Sequence, residues 1–335
     1  MGTEPTHHDA ATLDGSRVCV TGGAGFIGSR LAARLLELGA AVTVLDDLSN
    51  ADMAPVADLL DAHAGRFRFI HASVLDPGAL AEAVESASVV FHLAAVSAAG
   101  ISIDEPTRVF DVNAAGTQRV CEAARRAGVA RLVYAASCSA YGRAPSPQRE
   151  ADPTHALSPY AASKLAGEQM VTAYSESMGL PGVSLRFFNV YGPGQPAGSA
   201  YAAVVPIFIE RALRGESLEL HGGGAQTRDF IHVSDVVRAL LLAAGRQDAG
   251  PGPFNVGTGS AVTVRGLAES VVRLCGNASV GLIDAPERPG DVPASEADTS
   301  RAAEALGFHA DTSFEEGLAE LVEHARRGDA LGAGA

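Results

Sequence analysis

Through the first half of the chain, short runs of β-branched and aliphatic residues alternate with longer stretches whose apolar positions recur every three to four residues. The runs at 17–20, 41–46, 67–71, 89–93 and 131–136 have the length of strands. The stretches 26–38, closed by Gly39, and 106–127, stopped by Gly128, carry the helical period. Strands separated by helices of this length predict βαβ units, right-handed crossovers and a parallel sheet. The segment Val89-Val90-Phe91-His92-Leu93 is almost continuously apolar, as a strand covered on both faces requires. After Gly179 the texture changes. One more strand at 183–187 is followed by Gly- and Pro-rich loops around 191–198, a helix at 204–214, a strand at 218–220 and a turn at 221–227. Helices are predicted at 264–274, where Thr263 can serve as the cap, and at 314–327. The pattern describes an α/β protein with a doubly wound parallel sheet and a smaller C-terminal lobe.

Between the first strand and the first helix stands Thr21-Gly22-Gly23-Ala24-Gly25-Phe26-Ile27-Gly28. Glycines at these intervals permit a tight turn, the approach of a pyrophosphate to bare backbone and close helix packing, while the helix N-terminus offers N–H donors and partial positive charge. The second strand ends in Asp46, eighteen residues after Gly28. A carboxylate there accepts hydrogen bonds from a ribose diol and repels a 2′-phosphate, and no Lys or Arg lies between Asp46 and Asp61, so the pattern favours NAD over NADP. The sheet is therefore expected to be Rossmann-like. Residues 1–14 read as a flexible tail, 15–188 as the NAD-binding domain and 189–330 as a substrate lobe, with a segment near 229–258 returning to the first domain.

Composition narrows the classes. Hydrophobic residues make up 47% and charged residues 19%, the balance of a globular chain. Thirty-nine acids against 25 bases leave a net charge of −14, which opposes nucleic acid and anionic membranes as partners. The longest uncharged stretch, 86–103, holds His92, four serines and Gly100 and is too polar to span a bilayer. The four cysteines (Cys19, Cys121, Cys138, Cys275) are far apart, without a CxxC pair, which suits a reducing cytoplasm. The ten histidines show no metal-ligating spacing, so no metal is expected.

Ser158-Pro159-Tyr160-Ala161-Ala162-Ser163-Lys164 opens a helix, with Ser158 as cap and Pro159 in the first turn. Tyr160 and Lys164, four apart, project from one face. An ammonium beside a phenol favours the phenolate, so this spacing suggests a tyrosine used as a proton acceptor.

With these residues in view, the chain resembles extended short-chain dehydrogenase/reductases of the nucleotide-sugar epimerase/dehydratase branch, and its motifs are most like those of UDP-hexose 4-epimerases. The similar segments, VTGGAGFIGS, FHLAA, VNAAGT, YAASCSAYG, SPYAASK, RFFNVYGPGQ, QTRDFIHVSDV and RPGDVPASEAD, run from Val18 to about Leu306. The resemblance implies a catalytic triad of Ser137, Tyr160 and Lys164. It implies NAD contacts at Gly22, Gly25, Phe26, Ile27, Gly28, Asp46, Asn50, Ser73, Val74, Leu93, Asn113, Tyr160 and Lys164, Asn113 supporting the lysine. Ser73 stands where relatives usually carry an aspartate.

For the UDP-sugar the resemblance implies Ser137, Asn189, Val204, His221, Arg228, Arg288, Asp291 and Ser295. Arg228 and Arg288 would clamp phosphates, Asp291 would hold the ribose, His221 stands where an aromatic ring commonly stacks on uracil, and Ser295 would leave room at the sugar 2-position. Dehydratases of the branch carry an Asp-Glu pair after the triad hydroxyl, where this chain has Cys138-Ser139, so the reaction expected is 4-epimerisation through a transient 4-keto sugar. UDP-glucose/UDP-galactose, or the N-acetyl counterparts, are the expected substrates. A UDP-glucuronate 4-epimerase, another NDP-sugar 4-oxidoreductase and a non-catalytic NAD-binding scaffold are the alternatives. The helices at 106–127 and 159–178 resemble those that pair in family homodimers.

Overall fold

The computed structural model describes residues 13–97, 99–195, 204–288 and 291–327. Its centre is a parallel seven-stranded sheet. The strands are β1 (Arg17–Thr21), β2 (Ala41–Asp46), β3 (Phe67–His71), β4 (Val89–His92), β5 (Arg131–Ser137), β6 (Gly182–Phe187) and, after three strands of the second lobe, β10 (Phe254–Val256). They lie in the order β10-β6-β5-β4-β1-β2-β3. The chain starts mid-sheet at β1, winds outward to β3, then crosses back to β4. That reversal beside β1 is the point at which a doubly wound sheet opens a crevice at its carboxyl edge.

Helices α1 (Phe26–Glu37), α2 (Ala54–Ala62), α3 (Pro77–Val84), α4 (Ala99–Asp104), α5 (Pro106–Phe110), α6 (Gly116–Arg126) and α7 (Pro159–Met178) cover the two faces. Val18, Val20, Leu31, Leu35, Val42, Val44 and Phe91 fill one layer, and Leu80, Val90, Val120, Leu132 and Tyr134 the other. Burial of such side chains at about 25 cal/mol per Å² holds the helices to the sheet.

The second lobe is built from β7 (Asn189–Tyr191), β8 (Leu218–His221), β9 (Thr227–His232), β11 (Ala261–Thr263), β12 (Leu282–Ala285) and β13 (Ala294–Ser295), with α8 (Val204–Leu213), α10 (Val264–Cys275) and α12 (Phe314–Arg326). Central β9 is flanked by antiparallel β11 and parallel β13 and pairs with β7 in parallel, while β12 pairs with β8. Between these pieces the chain re-enters the first domain twice. Helix α9 (Val233–Gly245) buries Val236, Ala239, Leu240 and Ala243 in the sheet's core and leads to β10; later α11 (Ser300–Leu306) buries Ala302 and Leu306 there.

The strands legible in the sequence agree with the structure to within a residue. Local chemistry explains the helix ends. Ser158 accepts from Ala161 N–H at 3.1 Å to start α7, and Gly179 in the left-handed region ends it. Thr263 caps α10. The stretch 106–127 departs from expectation. A π-helical turn, Asp111–Ala115, separates α5 from α6 and carries Asn113. Such turns widen a helix locally, often where a side chain has work at a site. Leu13, inside the span read as a tail, is buried in the core; residues 1–12 lie outside the described residues.

Candidate active site

The glycine loop joins β1 to α1, and its glycines have different reasons. A Cβ on Gly22, whose φ is +72°, would lie 2.5 Å from Ala94 N; one on Gly28 would lie 2.1 Å from Gly22 O. Both are required by the protein's own packing. Gly25 is not: its φ is −70°, and a Cβ there would meet nothing nearer than Gly22 O at 3.4 Å. No side chain caps the helix that follows, whereas Asp76, Ser158, Thr263 and Ser313 cap α3, α7, α10 and α12. Bare backbone and an uncapped N-terminus fit a pyrophosphate. The fit extends to Asp46, whose carboxylate accepts from Ala24 N–H at 3.0 Å and Leu48 N–H at 2.9 Å, tying the loop to the end of β2. Each oxygen retains a lone pair for a ribose hydroxyl. Burial raises this carboxyl's pKa and the two N–H groups oppose the rise.

The remaining expected cofactor contacts divide. Phe26 lies under the Arg30 guanidinium, 4.9 Å from its ring centroid, and Ile27 and Leu93 pack partly against the core. Asn50 is exposed beyond β2. Ser73 Oγ accepts from Leu75 N–H at 3.3 Å, and the Val74 side chain is core, which leaves only its backbone to face a ligand.

The catalytic candidates converge from β5 and α7. The Ser137 side chain lies close enough to the Tyr160 hydroxyl to lower the phenol's pKa. Lys164, 4% exposed, holds its ammonium 4.5 Å from the centroid of the Tyr134 ring. Asn113 bridges the two sides: its Oδ1 accepts from Val96 N–H at 2.8 Å, and its amide donates to Val96 O at 3.1 Å and Ser163 Oγ at 3.0 Å. The π-helical turn thus fastens the middle of α7's first turns to the loop after β4. Beneath it, His92 binds Thr21 Oγ1 at 2.7 Å and Thr117 Oγ1 at 2.9 Å, and burial pushes its pKa down to about 3, so it is neutral.

Electrostatics differ from the sequence expectation. Burial pushes Tyr160 up to about 12, with nearby Ser137 opposing it; the lysine is not among the groups that shift it. Burial pulls Lys164 down to about 7, and the Glu168 charge one turn further along α7 opposes that fall. The ammonium spends itself on the Tyr134 ring and its own desolvation. Glu168 is in turn gripped by Arg186 of β6, bidentate at 2.8 and 2.7 Å, with both side chains buried. Glu168, four residues after Lys164, was visible in the sequence as an acid on the same helix face; its partner on β6 had no local signal.

Six of the expected substrate residues meet in one cavity of about 600 Å³ in the second lobe: Asn189, Val204, His221, Arg228, Arg288 and Asp291 all line it. His221 has its Nδ1 2.8 Å from Pro286 O, which sets the plane of the ring. Asn189 donates to Asp229 O at 3.2 Å. Arg228 is ion-paired with Asp291, so the guanidinium expected to clamp a phosphate and the carboxylate expected to hold a ribose are here each other's partners. Ser295 is buried in register with Arg228 on the neighbouring strand and lies close enough to the Cys138 thiol to lower its pKa, although burial pushes that thiol up to about 11. Ser295, near Cys138 and in register with Arg228, thus stands between the triad and the cavity. Phe187 and Tyr191 are core.

The family model for the NAD dependent epimerase/dehydratase family matches residues 18–257. The chain belongs to that family. It is 40% identical over 320 residues to a UDP-glucose 4-epimerase of Mycolicibacterium smegmatis, covering 92% of this chain and 98% of that protein. Among solved structures, the UDP-glucose 4-epimerase of Thermotoga maritima with UDP-glucose superposes with a TM-score of 0.87 at 35% identity, covering 94% of this chain and 100% of that one. The UDP-N-acetylglucosamine 4-epimerase of Methanobrevibacter ruminantium, in complex with UDP-N-acetylmuramic acid, gives 0.88 at 33% identity, covering 94% and 99%. As a member of an NAD dependent family the enzyme takes NAD as its cofactor, and the bare glycine loop and Asp46 fit such a dinucleotide. No helix among the described residues is long and apolar enough to cross a membrane.

Proposed function

We propose that this enzyme interconverts the C4 epimers of a UDP-hexose, UDP-glucose and UDP-galactose or their N-acetyl counterparts. The observation that carries the reading is the neighbourhood of Tyr160: Ser137 lies close enough to act on its pKa, and the next two residues are a buried thiol, Cys138, and a serine hydroxyl, Ser139, which donates back to Ser137. Neither is a carboxyl that could remove water across C5 and C6, which disfavours dehydration. NAD, when bound, supplies the reversible hydride chemistry. The protein's own residues hold and move the proton: Tyr160 Oη takes it from the sugar 4-hydroxyl and returns it, while Ser137 donates to the oxygen that gains charge. Asn113 keeps α7 in register, and Lys164, one turn after Tyr160 on α7, would serve the nicotinamide ribose. Arg228 and Arg288 serve the diphosphate, since guanidinium forks match phosphate oxygens and offset the net acidity locally. Small, buried Ser295 leaves space for an N-acetyl group.

The test uses purified protein without added cofactor, incubated separately with UDP-glucose, UDP-N-acetylglucosamine and UDP-glucuronate, with C4 stereochemistry followed by NMR. Epimerisation of either of the first two is expected, lowered about 10²–10⁴-fold by Tyr160→Phe. Turnover of the glucuronate alone would move the reading to a hexuronate epimerase, and a 6-deoxy-4-keto product would replace it with a dehydratase.

The same reading includes a homodimer in the cytoplasm. Ile103, Phe110, Met170 and Met178, on α4, α5 and α7, are exposed apolar side chains of the kind that pair helices between subunits. Light scattering tests this, with a monomer at micromolar concentration counting against it. The free cysteines agree with a reducing compartment.

A further inference from the structure

Of the chain's 25 lysines and arginines, Lys164 is the only lysine. A compact ammonium is kept at this one place, where every other such cation is a planar guanidinium. Tyr134 of β5 meets Lys164 twice. Its hydroxyl donates to the Lys164 carbonyl at 3.3 Å, and the face of its ring lies against the ammonium, whose nitrogen is 4.5 Å from the centroid. The backbone of α7 is shaped to admit the ring: a Cβ on Gly167 would stand 2.4 Å from the Tyr134 hydroxyl and 2.8 Å from its Cζ. The His92 ring lies 5.5 Å from the Tyr134 ring and is itself fixed by Thr21 and Thr117. Tyr134 is 0% exposed, so no ligand reaches it directly, whereas Lys164 keeps 4%. The Glu168 carboxylate, one turn further along α7, has both oxygens engaged by Arg186.

We infer that Tyr134 is a positioning residue, whose ring face holds the Lys164 ammonium ready for the nicotinamide ribose. The inference rests on the proposed role of Lys164 and adds to it a buried residue that acts only through the lysine. A carboxylate partner would take up the ammonium's N–H groups. A ring instead attracts the charge through its quadrupole and leaves donors on the open side for ribose hydroxyls. Without that face the ammonium loses its attraction, the side chain regains rotamers and the neutral amine is favoured. The titratable groups facing Lys164 are His92 from β4, Tyr134 from β5, and Tyr160 and Glu168 on its own helix. Burial holds His92 neutral with a pKa of about 3 and raises both tyrosines, which leaves Glu168 as the one charged member of the four.

Because the chain has a single lysine, labelling with ¹³Cε-lysine gives one side-chain signal that needs no assignment. In the NAD-bound wild type, the Lys164 Hε protons are expected upfield, moved by the ring current, and the Cε shift follows ionisation of the ammonium. The comparison runs through Tyr134→Phe and then through phenylalanines at position 134 bearing increasing numbers of fluorine atoms, up to pentafluorophenylalanine. These keep the shape of the ring while draining negative charge from its face. Tyr134→Phe should titrate as wild type does. The pentafluoro ring should lower the pH of ionisation by about one unit, the others falling in order between. The basic limb of the kcat profile is expected to move to lower pH in the same order, with KM for the nucleotide sugar unchanged. Ionisation that ignores the number of fluorines overturns the inference, and so do unshifted Hε protons in wild type. If wild type epimerises no sugar, the functional reading fails and the lysine signal alone still decides this one.

Discussion

The Lys164 ammonium rests 4.5 Å from the centre of the Tyr134 ring, inside the protein and with its nearest balancing charge one helical turn away on Glu168. A cation over an aromatic face gains attraction, but less than water supplied. Its pKa consequently falls from 10.5 to about 7. The folded protein therefore binds fewer protons at this site than the unfolded chain between those values. The resulting destabilisation is fully present below pH 7 and disappears as pH rises toward 10.5. Lys164→Met is expected to raise Tm at pH 6 and to change it little near pH 10, while turnover falls by orders of magnitude. Thermal melts of nucleotide-stripped protein at both pH values check the sign, and a lower Tm at pH 6 would refute it.

Glu168 and Arg186 form a buried pair, and removing one member leaves the other uncompensated. Glu168→Gln is expected to cost about 3–5 kcal/mol, seen as a lower urea midpoint. Replacing both, Glu168→Met with Arg186→Leu, should recover most of that stability, since apolar side chains of similar size often substitute for a buried pair without loss. Arg186 also stacks 4.6 Å from the Tyr141 ring centroid, a contact that leucine can partly replace. A double variant no more stable than the single would show that the guanidinium's contacts matter more than the charge balance.

How far the sequence reached follows from which constraints are local. The glycine loop, Asp46 at the end of β2, the Ser158 cap and the Tyr160–Lys164 spacing each depend on neighbours within a turn or a βαβ unit, and each stands where the pattern put it. The phenol's pKa did not follow from spacing, because burial, set by the whole fold, outweighs an ammonium that faces elsewhere. The π-helical turn at Asp111–Ala115 answers Val96 and Ser163, distant in sequence, and a helical period cannot register it. Strands as short as β13, two residues long, have no period to read and exist because β9 offers them an edge. Ser139 entered the reading only as a missing acid; its bonds back to Ser137 are local, but they belong to a 3₁₀ turn that has no hydrophobic period to read.

Gly25 and Gly28 separate cofactor binding from folding. An alanine at Gly28 places its Cβ 2.1 Å from Gly22 O and 2.7 Å from Gly23 Cα, both backbone, so the loop must move. Gly28→Ala is expected to lose several kcal/mol or fail to fold. Gly25→Ala has room and a negative φ, so its stability without nucleotide should stay within about 0.5 kcal/mol of wild type. Its methyl would stand where the pyrophosphate approaches, and NAD affinity should fall about tenfold or more. Calorimetric titration of NAD distinguishes the two effects; unchanged affinity in Gly25→Ala would remove the pyrophosphate from that spot.

The Arg228–Asp291 pair is partly open to solvent, with 14% and 35% of the two side chains exposed. Ion pairs in that setting contribute at most about 1 kcal/mol, so the cavity keeps its guanidinium folded back on Asp291 at little depth of energy. A diphosphate carries more charge and more acceptor oxygens than one carboxylate and can take Arg228 over, which frees Asp291 for a ribose hydroxyl. Arg228→Ala is then expected to raise KM for the nucleotide sugar about 10- to 100-fold, the loss of a charged hydrogen bond, with kcat altered by no more than a few fold. UDP alone, which lacks the sugar, should lose the same factor in Kd, because the contact lies on the diphosphate. Asp291→Asn should leave the fold's stability within about 0.5 kcal/mol. If Arg228→Ala instead lowers kcat while UDP binds as before, the guanidinium belongs to the reacting sugar and the phosphate clamp must be Arg288 alone.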